Sequence, residues 1–187
     1  TAFFEKGTLS DDELAQGFKA AIRERKLFPI FCMAGEKNIG VARMMEFLIN
    51  YCPDPITGKS FEAINSNNEE SLVFNPDPNG NDVAAFIFKT ISEPHVGELS
   101  LFRVYNGTIK AGLDLVNQNN GQNERLNQMY ALRGKERMEV GQVCVGDIAA
   151  VVKLKDSHTN NTLSTKTYPV RITPIVFPEP VMTSAVK

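Results

Sequence analysis

The sequence predicts a mainly β protein: an antiparallel β-barrel preceded by a small α/β segment. Three observations carry that reading. Strand-like apolar stretches recur at Val83–Phe88, Leu99–Gly112 and Gly141–Val151. Asn-Gly dipeptides at Asn106-Gly107 and Asn120-Gly121 punctuate the same region, and Asn-Gly is the strongest short hairpin signal because both residues tolerate positive φ. Ahead of them runs a helix–strand–loop–helix pattern of the kind found at the end of an α/β sheet.

The elements follow in chain order. Residues 9–26 read as a helix. Ser10-Asp11-Asp12-Glu13 has the form of a capping box, and Leu14, Phe18, Ala21 and Ile22 keep helical spacing. Pro29 prevents continuation. Leu27–Met33 has the length of a buried strand, although a lone strand needs neighbours that this segment does not supply. Ala34–Gly40 reads as a polar loop and Val41–Asn50 as a second helix, ended by Pro53 and Pro55. Residues 56–82, rich in Asn, Asp, Pro, Gly and Ser, read as a linker. The barrel then occupies 83–172, with Leu163–Ile172 as its last strand. Residues 173–187 begin something further, with Val181–Val186 as one more strand. On strand alternation Leu99, Leu101, Arg103 and Tyr105 share one face and Ser100, Phe102 and Val104 the other. Both faces are partly apolar, so both are expected to be covered.

Composition narrows the function classes. The 187 residues are 42% hydrophobic, enough for a real core, and the net charge of −2 excludes a strongly basic nucleic-acid binder; no DNA partner is expected. The charge is uneven: residues 1–82 carry 8 Lys and Arg against 13 Asp and Glu, residues 83–170 carry 10 against 8. The barrel is thus mildly basic beside an acidic first segment. Cys32, Cys52 and Cys144 are odd in number and far apart, and His95 and His158 are the only histidines. No metal site is expected, and reduced thiols are. No apolar run reaches the length of a membrane span, so no membrane partner is expected. The sequence starts at Thr1 in mid-pattern and reads as a piece of a longer protein.

At the level of whole motifs, the barrel resembles domain two of bacterial elongation factor G, a translational GTPase. The resemblance rests on Phe86-Ile87-Phe88-Lys89, Pro94-His95-Val96-Gly97, Phe102-Arg103-Val104-Tyr105-Asn106-Gly107 and Gly146-Asp147-Ile148-Ala149-Ala150. Residues 1–55, through Tyr51-Cys52-Pro53-Asp54-Pro55, look like the last part of that family's GTPase domain. Phe177-Pro178-Glu179-Pro180-Val181 looks like the start of its third domain. The resemblance implies a cytoplasmic ribosomal factor whose second domain contacts small-subunit rRNA and works with the GTPase and later domains. It also implies that the P-loop, the switch regions and the Asn-Lys-x-Asp motif lie upstream of Thr1. GTP and magnesium then belong to the parent, with no cofactor and no GTP hydrolysis expected in this chain. A ribosomal protection or release-factor-recycling GTPase, and a protein-binding barrel adaptor without RNA contact, are the competing readings.

Candidate residues follow. The family's guanine loop corresponds here to Ala34, Gly35 and Lys37, with Ala and Gly where the family has Ser and Ala; backbone N–H groups remain available to guanine O6 in principle. Gly35–Gly40 has the outer spacing of a P-loop, but Val41-Ala42 follows where Lys-Ser/Thr is required, so it reads as a plain connection. Arg133, Lys135 and Arg137, and separately Lys153 and Lys155, are the candidate rRNA phosphate contacts, weighed against a solvated turn balanced by Glu136 and Glu139. His95 is expected to serve loop structure, Asp147 a turn, and Cys144 the core. Phe86, Phe88 and Phe102 are expected in the core rather than as a base-stacking platform.

Overall fold

The computed structural model describes residues 2–58, 60–93, 97–182 and 184–185. Two compact units divide it, Thr1–Gly58 and Lys59–Lys187.

The first unit holds α1 (Ala2–Lys6), α2 (Asp11–Arg23) and α3 (Val41–Tyr51). The capping box at Ser10 is present: Ser10 Oγ accepts from Glu13 N at 3.3 Å, and Ser10 N donates to Glu13 Oε2 at 3.0 Å. The Lys6 ammonium at 2.6 Å, followed by the Ser10 N–H, holds the Glu13 carboxyl below its usual range. The helix ends earlier than the spacing predicts, because Arg25 turns left-handed (φ 58°) and Lys26 N reaches back to Ala21 O at 2.8 Å. That closure satisfies the carbonyls that a helix end leaves free. Phe18 packs edge-on against Phe47 and Tyr51, with Phe31 on Phe47 at 4.8 Å.

Leu27–Met33, expected as a strand, forms none. Among the described residues of this unit nothing offers it a ladder, and Phe28 and Ile30 stand 77% and 92% exposed. No described side chain of this unit is fully buried.

The second unit contains two sheets and a ribbon. Residues 56–82 are not a linker throughout. β1 (Phe61–Asn65) and β2 (Ser71–Phe74) form a hairpin, and β1 also pairs with a distant strand, β13 (Val170–Ile172), in the order β13-β1-β2. The turn-rich composition belongs to the hairpin's own loop: Asn65 Oδ1 accepts from Asn67 N, and Asn68 Oδ1 from Glu70 N.

The larger sheet takes β3 (Ala84–Glu93), β4 (Gly97–Asn106), β6 (Leu113–Asn117), β7 (Asn123–Leu126), β8 (Met129–Arg133), β9 (Glu136–Val140), β11 (Ile148–Val152) and β12 (Thr162–Ser164). Their order is β7-β6-β12-β3-β4-β11-β8-β9, and every pairing is antiparallel. β5 (Thr108–Lys110) and β10 (Gln142–Cys144) make a separate ribbon. The expected closed ladder is therefore interrupted, with β7 and β9 as edges among the described residues. Packing completes what the ladder does not: Ile109 and Val143 of the ribbon join Ile87, Phe102, Val104, Leu115, Leu126, Met129, Val151 and Leu163 in one buried core.

Three further expectations change. Asn106-Gly107 is not a hairpin turn. β4 pairs with β3 and β11, whereas β5 pairs with β10, so the chain changes sheets there. The Asn106 side chain makes the change, accepting from Asp77 N and donating to Asp82 O, both at 2.8 Å. Asn120-Gly121 does lie in a hairpin, β6–β7, though in a longer loop closed by Asn117 N to Gln122 O. Leu163–Ile172 divides into β12 and β13, which belong to different sheets. Residues 181, 182, 184 and 185 form no strand, and the rest of the expected last strand lies outside the described residues.

Both faces of the barrel's central strands are covered, as the alternation predicts. Along β3, Ala85 and Ile87 enter the barrel core. Ala84 and Phe86 face a second core with Ala63, Phe74, Val170 and Ile172, flanked by Phe61, Phe88, Tyr105 and Tyr168.

Candidate nucleic-acid interface

The tight turn Gly134-Lys135 joins β8 to β9, with Arg133 paired to Glu136 across it. Gly134 takes φ +61° at the first central position, the conformation a primed hairpin turn demands. The Arg133 guanidinium donates to Glu136 Oε2 through Nη2 at 2.8 Å and Nε at 3.2 Å. This pair is solvent-exposed, so it contributes on the order of 0–1 kcal/mol, but it offsets one of the three charges. Arg137 follows on β9, opposite Leu132.

Lys153 and Lys155 sit just past the end of β11. Lys153 is left-handed (φ 60°). Leu154 between them packs onto the barrel core, leaving both lysines exposed. The two basic groups are not neighbours. β11 pairs with β8 as Ala150 with Tyr130 and Val151 with Met129, so the Gly134 turn lies toward the start of β11 and the lysines beyond its end. Five strand residues separate them, roughly 16 Å.

The remaining candidates divide. Ala34 N and Ile39 O bond at 3.0 Å, and Ile39 N returns to Ala34 O at 3.0 Å. The backbone N–H of Ala34 is thereby spent inside its own loop, while Gly35 and Lys37 form one 3₁₀ turn. His95 lies outside the described residues. Phe86 and Phe102 are buried and Phe88 partly so, in the cores as expected.

Asp147 serves a turn: its Oδ2 accepts from Cys144 N at 2.8 Å. Cys144 itself is not in the core, being exposed between buried Val143 and Val145. The strand alternation puts the valines inside and turns the thiol out. Its Sγ donates to Asp147 Oδ2 at 3.3 Å; that bond first, and burial second, raise the thiol pKa above its usual value. Any contribution of this bond to folding is present below the thiol's unfolded pKa and lost as pH rises through the folded one. Asp147→Asn is expected to move the alkylation–pH curve of Cys144 to lower pH. An unchanged midpoint in iodoacetamide kinetics would remove the carboxylate as its cause.

Three residues that sequence reasoning missed also matter in this unit, two of them buried beneath the basic loop. Arg103 lies opposite both Phe86 and Ile148, with its guanidinium 5.4 Å from the Tyr105 ring centre and 6.0 Å from that of Phe61. Such stacking holds a cation without a carboxylate. Glu124, 1% exposed, accepts at Oε2 from Lys155 N (2.9 Å) and at Oε1 from Asp156 N (2.9 Å) and Ser157 Oγ (2.8 Å). The fully buried Asn117 donates through Nδ2 to Ser157 Oγ and Asn161 Oδ1, each at 2.9 Å. A signal for Glu124 existed: it shares the inward phase of β7 with Leu126.

Comparison with known proteins now bears on this fold. Residues 82–166 match the family model "Elongation factor G domain 2". That span runs from the start of β3 through β12, holding the barrel core and leaving out β1, β2 and β13. A crystal structure from Thermus thermophilus aligns with TM-score 0.68 at 23% identity, covering 88% of this chain and 22% of that one. At this identity the likeness establishes the fold, and this chain spans about a fifth of that structure's length. The curled antiparallel sheet and the family match over its length agree: residues 82–166 are similar to domain 2 of elongation factor G, and the solved structure shares the fold.

Proposed function

We propose that the barrel is a non-catalytic docking body that binds small-subunit rRNA within an elongation factor G-like GTPase and couples that contact to the nucleotide-binding domain. The family match over 82–166 carries the reading. In the same reading residues 1–55 are the end of the GTPase domain and 173–187 the start of a third domain. Ala34, Gly35 and Lys37 are then the remnant of its guanine loop, and GTP and magnesium act in the parent, in the cytoplasm. Support comes from the outward basic residues Arg133, Lys135, Arg137, Lys153 and Lys155 on an otherwise acidic chain. Binding through such groups releases counterions, so it weakens as salt rises.

Co-sedimentation with small ribosomal subunits across a salt series tests this. Binding is expected at low salt and lost at high salt, with no GTP turnover by the chain. Each lysine-to-alanine change at 153 or 155 is expected to reduce the log–log salt slope by about 1. Absence of binding at low salt would sink the proposal and favour a protein partner instead.

A further inference from the structure

We infer that Glu124 and Asn117 are positioning residues that fix Lys153 and Lys155 as a rigid cationic pair for a polyanionic backbone; this rests on the docking reading above. The two lysines stand at the start of a loop, 153–161, that has no helix or strand of its own. Such a segment would ordinarily be mobile, and each long cation would spend conformational entropy on every phosphate it met.

Here the backbone is held from beneath. One buried carboxylate gathers three donors in succession, Lys155 N, Asp156 N and Ser157 Oγ. The Ser157 hydroxyl that donates to Glu124 accepts in turn from Asn117 Nδ2. Asn117 also reaches Asn161, whose Oδ1 accepts from His158 N at 2.9 Å. The loop's one carboxylate, Asp156, is engaged by Asn120 Nδ2 at 3.1 Å and His158 Nε2 at 3.3 Å. Glu98 adds a further contact, to His158 Nδ1 at 3.6 Å. Consecutive N–H donors of this kind form a concavity suited to an anion, and the protein supplies that anion itself from β7. A buried charge is tolerated where its hydrogen bonds are complete. Both oxygens of Glu124 are used, and every donor they receive comes from this loop.

The test compares variants of the whole chain for binding to small ribosomal subunits over a salt series. With both lysines changed to alanine, binding is expected to fall about tenfold or more at moderate salt, with the slope reduced by about 2. Glu124→Gln is expected to weaken binding about fivefold and to flatten the slope, although both lysines remain. In Glu124→Ala, added formate is expected to restore part of that loss. Ser157→Ala, which removes a single hydroxyl, is expected to give a smaller loss in the same direction and serves if the Glu124 variants do not fold. If the lysine variant loses binding but Glu124→Gln and Ser157→Ala keep the wild-type slope, the positioning role is wrong and the docking reading stands. If the lysine variant binds as wild type does, the loop is not the contact, and the inference falls with that part of the reading.

Discussion

Phe102→Ala is expected to destabilise the second unit by about 3–5 kcal/mol, the range seen when a buried phenylalanine is truncated and its surroundings relax only in part. Phe102 is 0% exposed. It faces Ile87 on β3 and Ala149 on β11 across two ladders. It is also the bulkiest of the fully buried side chains. A net stability of about 5–15 kcal/mol is usual for a domain, so such a loss would leave the barrel marginal. Urea unfolding followed by far-UV circular dichroism checks it. A midpoint within error of wild type would mean that the barrel core can collapse around the void, contrary to the close packing described.

The second large effect belongs to Gly107. A Cβ there would lie 2.4 Å from the Asp82 carbonyl oxygen and 3.0 Å from Val83 Cγ2, on a residue already at φ +72°. The obstacle is backbone, held in place by the Asn106 side chain, so it cannot swing aside. Gly107→Ala is expected to cost more than about 2 kcal/mol, combining left-handed strain of about 1 kcal/mol with a clash. Gly112→Ala is the control. Its φ is +85°, yet the nearest atom to an added Cβ is the far end of Arg125 at 3.8 Å, so only the strain should register. Equal melting temperatures for the two variants would show that the approach of Asp82 does not matter.

Much of this fold was legible because strands write their faces with period two. Leu99–Tyr105 announced two covered faces, and the structure supplies a core on each side. The capping box at Ser10 was readable for a similar reason, since all its partners lie within three residues. What escaped depends on partners far away in sequence. β1 pairs Ala63 with Ile172, and a five-residue strand set among asparagines and prolines carries no local mark of that match. Asn106-Gly107 misled because the dipeptide fixes a bend, while the identity of the next strand's neighbour is decided elsewhere. At the candidate interface, exposure of the basic residues could be read, but their division between opposite ends of β11 could not. Nor could the Arg133–Glu136 pairing. Glu124 was readable in principle: a carboxylate in phase with Leu126 must be buried, and a buried carboxylate must find donors.

β3 contributes alternate side chains to two separate cores, with no residue between Val83 and Ile87 left to water. Melting either core would strip one side of the same strand and leave its neighbours half-solvated. The hairpin sheet and the barrel are therefore thermodynamically one cooperative body, although the family match stops at the barrel's own boundary. Deleting β1 and β2 as if they were a tether would remove half the support of the strand on which the barrel is built.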